Sequence, residues 1–104
     1  MIGPPPPREF DIDGREALKG DIVMAPRRTL RGFGYGECIP KVRPRPARVV
    51  ECFYDWWGIA RLRLEWCPLS DGEEDVVFRD EKDWDTPEIG KCAHADPVTA
   101  LAFA

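Results

Sequence analysis

The chain has 104 residues, 43% of them hydrophobic and 33% charged, with a net charge of −4. That suits one domain around one core, and no run approaches the ~20 apolar residues that span a bilayer. The N-terminal MIGPPPPREF has neither the basic nor the apolar segment of a secretory signal, so a reducing cytoplasm is the expected compartment and the four cysteines are expected to be thiols.

Residues 1–8 read as an extended arm, because Pro4 to Pro7 fix φ and donate no hydrogen bonds. Residues 9–104 then form a single β-rich domain. Gly14 to Gly20 has the composition of one helical turn. Asp21 to Ala25 predicts a first strand, launched by Gly20 and stopped by Pro26. Residues 27–48 are basic, then Gly-rich, then Pro-rich. Pro40, Pro44 and Pro46 would each remove a donor from a central strand, so this stretch predicts a long exposed loop.

The next two segments have β-rich composition. In Ile59 to Trp66 the residues Ala60, Leu62, Leu64 and Trp66 alternate with Ile59, Arg61, Arg63 and Glu65. Arg48 to Tyr54 precedes them, and a three-residue loop Trp56-Trp57-Gly58 joins the two, with Gly58 in the left-handed conformation. That loop sets Tyr54 opposite Ala60, Cys52 opposite Leu62 and Val50 opposite Leu64. On the other face Phe53 meets Arg61, a cation–π pair, and Glu51 meets Arg63. A loop one residue shorter or longer would oppose Glu51 to Leu62, mismatching every inward position.

Cys67-Pro68 ends this strand. Asp71-Gly72 marks a turn, Val76 to Arg79 a short strand, and Thr86-Pro87 and Gly90 further breaks. Pro97 to Phe103 reads as a last strand or one turn of helix. The whole predicts a mainly β fold: a small antiparallel SH3-like barrel or curled sheet with long loops and at most one or two short helical turns. The opening Lys19-Gly20-Asp21-Ile22-Val23, then a long loop and a tight hairpin, resembles an SH3-like barrel, and this likeness of fold implies no activity.

Charge is segregated. Residues 27–48 carry seven Lys/Arg and one Glu, whereas residues 71–88 carry nine Asp/Glu and two Lys/Arg. Crowded like charges favour solvated surfaces, so two faces of opposite potential are expected. The acidic run, interleaved with Phe78 and Trp84, suits a basic groove on another protein.

RGFGYGEC, residues 31–38, resembles the RNA-recognition motif at Arg31, Gly32, Phe33, Gly34 and Tyr35. It departs from the pattern at Gly36 and Cys38, and the strand–helix–strand run that should precede it is missing. The cysteines are 13 or more residues apart, unlike the close pairs of structural zinc. Cys92-Ala93-His94 is the one close pair, and a Cys38–Cys92 disulfide is a further arrangement. His94 is the only histidine and Ser70 the only serine, so a Cys–His dyad would lack an orienting partner.

No catalytic residue, metal or cofactor is therefore expected. The expected function is that of a non-catalytic interaction module or inhibitor, by analogy with phage-borne inhibitors of host defence complexes. It would present an acidic face and a Trp tip to a larger, nucleic-acid-handling protein with a basic surface, through Trp56, Trp57, Asp75, Asp80, Glu81, Asp83, Trp84 and Asp85. The alternative is nucleic-acid binding, with bases stacked on Phe33 and Tyr35 and phosphates held by Arg27, Arg28, Arg31, Lys41, Arg43 and Arg45.

Overall fold

The computed structural model describes residues 10–32, 36, 38–76 and 85–103. The Pro-rich arm, Phe33, Tyr35, Asp80, Glu81, Asp83 and Trp84 lie outside this set. The fold is mainly β, a strongly curled antiparallel half-barrel with one short helix. Its strands are β1 (Asp11–Ile12), β2 (Arg15–Glu16), β3 (Ile22–Arg31), β4 (Lys41–Tyr54), β5 (Ala60–Trp66), β6 (Glu73–Asp75) and β7 (Ala93–His94). A 3-10 turn spans Ile89–Lys91, and helix α1 spans Pro97–Ala102. The main sheet has the order β5-β4-β3-β6, with β7 also on β3.

The expected loop over 27–48 is instead largely the longest ladder of the sheet. Ile22 to Thr29 of β3 pair with Arg48 to Lys41 of β4, and β3 runs straight through Pro26. Pro40 precedes β4, and Pro26, Pro44 and Pro46 are tolerated because all three turn away from the β3–β4 ladder. Even-numbered residues of β3 turn their backbone groups the other way. The Ile22 carbonyl accepts the Ala95 N–H and the Arg28 carbonyl accepts the Val76 N–H. Pro26 shares that parity and falls between β7 and β6, where no donor is called for. In β4, Pro46 turns toward β5 and its carbonyl accepts the Cys67 N–H. Pro44 has the same parity and lies beyond the end of β5, so its missing donor costs no bond.

Gly14 to Gly20 does not make a helical turn. Asp13 (φ 50°) and Gly14 (φ 85°) instead form the centre of a tight hairpin between β1 and β2. Two successive positive φ values match the strand twist, and the Asp11 carboxylate accepts the Gly14 N–H at 2.9 Å.

The β4–β5 hairpin keeps the expected register from Tyr54↔Ala60 through Glu51↔Arg63. It then departs from it. A bulge inserts Val50, so Val49 and not Val50 opposes Leu64. Val49 is 1% exposed and Val50 37%. The extra residue resets the alternation. Ala47 and Val49 thereby enter the core beside Leu62, while Val50 is turned out. The predicted Glu51–Arg63 ion pair forms at 3.1 Å. The cation–π contact to Phe53 comes from Arg63, not Arg61, at 5.3 Å, because Arg61 is drawn to Asp55.

The core is Ile12, Ala17, Val23, Ala25, Ala47, Val49, Leu62, Leu64 and Cys92, with Cys52, Trp66 and Ile89 packed against it. Burial of each Val or Leu there contributes roughly 1.5–3 kcal/mol. The strand after Ser70 falls on Glu73–Asp75, ahead of the Val76–Arg79 stretch, whose residues 77–79 lie outside the described set. The last segment is helical. Asp96 caps it by accepting the Thr99 N–H at 2.7 Å, and Pro97 occupies its first turn.

Candidate interaction surface at the hairpin tip

The tip of the β4–β5 hairpin is built around Asp55. Its backbone N–H donates to the Ile59 carbonyl and its carbonyl accepts the Gly58 N–H, each at 3.0 Å. One carboxylate oxygen accepts both the Trp57 and Ile59 N–H groups at 2.9 Å. The other accepts Arg61 Nε at 2.6 Å. Side-chain capping of this kind is a usual role of Asp in turns. The Arg61 guanidinium, followed by the N–H groups of Ile59 and Trp57, holds the Asp55 carboxyl below the usual carboxylate range against the opposing effect of burial.

This bracket leaves the indoles outside it. Trp56 is 92% exposed and Trp57 78%, beside the half-exposed Tyr54. Trp rings so open to water are uncommon in a folded chain. Gly58 has φ 75°, which an L side chain adopts only under strain, although a Cβ there would meet no atom. Gly58→Ala is therefore expected to cost about 1 kcal/mol. Thermal unfolding should show a drop of a few degrees, and Gly58→Asn a smaller one.

Arg61 also ties the tip to part of the acidic block. Its Nη1 donates to the Thr86 carbonyl at 2.8 Å, and its Nη2 lies 4.0 Å from Glu88. Residues 85–88 run antiparallel along the outer edge of β5. Leu62 N–H donates to the Pro87 carbonyl at 3.1 Å and Leu64 N–H to the Asp85 carbonyl at 2.8 Å. Trp66 Nε1 donates to Asp85 at 3.3 Å. Glu88 thus lies opposite Arg61, near the tip, while Asp85 lies farther along β5, opposite Leu64 and against Trp66.

Two more acids of the block, Glu73 and Asp75, meet the basic one. Glu73, at the start of β6, pairs with Arg31 at 2.8 Å and receives a bidentate grip from Arg45. The Glu73 side chain is 1% exposed. The two arginines, Arg45 foremost, outweigh desolvation and hold its carboxyl down at about 2. Asp75 binds Arg27 at 2.8 Å, and the Arg27 guanidinium also lies 4.9 Å from the Trp66 ring. Arg43 donates to the Thr29 carbonyl and hydroxyl at 3.2 and 3.1 Å. Of the candidate phosphate-binding residues, Arg27, Arg31, Arg43 and Arg45 thus have partners within the sheet. Arg28 is half-buried and Lys41 is exposed.

All four cysteines are thiols, so Cys38 and Cys92 are not joined. Burial pushes the Cys92 thiol up to about 11. Its sulfur faces the Glu88 carbonyl, whereas His94 Nε2 lies 2.9 Å from the Arg15 carbonyl. Among the described residues no three His, Cys, Asp or Glu side chains gather as a metal site, and no helix is long and apolar enough to cross a membrane.

Sequence reasoning placed Trp56 and Trp57 at the tip but missed Asp55 and Arg61, which hold it. The available signal was Asp55 followed at three residues by Gly58, an acceptor at the start of a turn and a left-handed residue at its end. No protein-family model, curated protein or solved structure matches the chain.

Proposed function

We propose that this protein is a non-catalytic interaction module whose anchor is the indole pair Trp56–Trp57. The observation that carries this reading is a braced turn carrying two nearly bare rings. The Asp55 carboxylate holds the turn with three hydrogen bonds, so little backbone freedom remains to be lost on binding. Tryptophan is enriched among the residues that dominate interface energies.

The partner is a larger protein with an apolar cleft for an indole and a basic margin. Glu88 lies opposite Arg61 near the tip, with Asp85 farther along the same edge of β5, and their charge complements such a margin. Asp80, Glu81 and Asp83 add to the acidic block in sequence. A basic groove of that kind is typical of proteins that handle nucleic acid, which accords with an inhibitor that occupies such a groove. Direct nucleic-acid binding through residues 27–48 is less well supported, because Arg27, Arg31 and Arg45 already serve Asp75 and Glu73.

The test is the affinity of Trp57→Ala for a partner captured by the intact chain. Loss of about 2 kcal/mol, roughly thirtyfold, is expected, with the melting temperature within a few degrees of the parent. Unchanged affinity, or unfolding of the variant, would contradict the reading.

A further inference from the structure

A groove of about 590 Å³ lies between the β1–β2 hairpin and β4, lined by the apolar Phe10, Ala17, Leu18, Val50 and Cys52 and by the charged Glu16, Lys19 and Glu51. That volume suits a ligand of several side chains. The bulge in β4 helps to form it, since it sends Val49 into the core and leaves Val50 facing out. Leu18 stands beside it, 55% exposed. Backbone bonds fix the walls. Ala17 N–H donates to the Phe10 carbonyl and Gly20 N–H to the Val49 carbonyl, both at 2.8 Å, while the Asp21 carboxylate accepts the Leu18 N–H at 2.9 Å.

Its lining is mostly apolar, and its charged members are two glutamates and one lysine. Burial raises the Cys52 thiol above its ordinary value, and the negative charges of Glu16, Asp21 and Glu51 raise it further. Among the described residues, Lys19 and the Arg63 bound to Glu51 stand against these three carboxylates. At one end the Phe10 ring lies 5.2 Å from that of Tyr54.

We propose that this groove binds a short extended protein segment in which lysines or arginines flank apolar side chains. The apolar side chains take the place of water over Leu18 and Val50, and the flanking cations meet Glu16 and Glu51. The proposal shares with the tip reading only the premise that the ligand is a protein.

The test is titration of the 15N-labelled full chain with the blocked peptide AKLKFKA and, separately, with AELEFEA, followed through backbone amide shifts. Saturable shifts centred on Leu18, Val50 and Cys52 are expected with the basic peptide. Binding should weaken by about tenfold or more in Val50→Ser, which removes apolar contact at an exposed position, and by a similar factor with the acidic peptide. Absence of saturable shifts there, equal response to both peptides, or an unaffected Val50→Ser variant would overturn the proposal. Shifts centred on Trp56 and Trp57 would overturn it too, while leaving the tip reading standing.

Discussion

Glu73→Ala is expected to lower the free energy of unfolding by about 3 kcal/mol, because it breaks a buried ion pair from the acidic side. The carboxylate is enclosed by Arg31 and Arg45, and the Arg45 side chain is itself mostly buried. Removing the carboxylate leaves that guanidinium without its counter-charge on a face that also carries Arg27 and Arg43. In a domain of this size the melting temperature should fall by roughly 15 °C. Glu73→Gln keeps the shape and one acceptor, so it should fall between the parent and the alanine variant.

The same residue sets an acid limit. Its carboxyl is held at about 2, well below the ordinary 4.5. A depressed pKa in the folded state means that the unfolded chain takes up the proton first. The stabilisation is therefore complete above about pH 5 and is lost as pH falls through 4.5 toward 2. Melting curves of the parent and Glu73→Gln should lie apart at pH 7 and draw together near pH 2. A constant separation across that range would show that the charge of Glu73 does not stabilise the fold.

Leu62→Ala is expected to cost about 3 kcal/mol, within the range for emptying a buried leucine site. Leu62 is fully buried on β5, opposite Cys52, and is among the largest of the fully buried side chains. Its neighbours belong to a sheet held by ladders on both sides, so the cavity cannot readily collapse. Denaturant unfolding should show a lower midpoint with an unchanged slope. Leu62→Met, which conserves volume, should lose under about 1.5 kcal/mol. A Leu62→Ala variant as stable as the parent would contradict the placement of the core.

How far the sequence foretold this arrangement depends on the range of the signal. The β4–β5 turn was legible because Gly58 and the alternation of Ala60, Leu62 and Leu64 constrain each other over a few residues. The bulge was not, because Val49 and Val50 are both apolar and either one satisfies the pattern of an inward position. The strands through 27–48 were missed by judging each proline alone. Pro44 and Pro46 are two apart, so both turn to the same edge of β4, where β5 ends opposite Ala47, beside Pro46. The opposite charge blocks were visible, but their closure on each other rests on the Arg31↔Glu73 pairing, which brings together residues 42 positions apart. Such a contact leaves no local trace. The tryptophan pair was placed correctly, whereas its bracing by Asp55 and Arg61 depends on side-chain geometry that composition does not carry.

Contact of Trp56 and Trp57 with the proposed partner is tested most directly by 19F NMR of the full chain carrying 5-fluorotryptophan at its four tryptophans, with resonances assigned by single substitution. In the free protein the Trp56 and Trp57 signals should show the large solvent-isotope shifts of exposed rings, and that of Trp66 a smaller one. Addition of a captured partner should move both tip resonances and remove their solvent-isotope shifts while leaving Trp66 in place. Tip resonances that stay unchanged and solvent-exposed in the saturated complex would contradict the account.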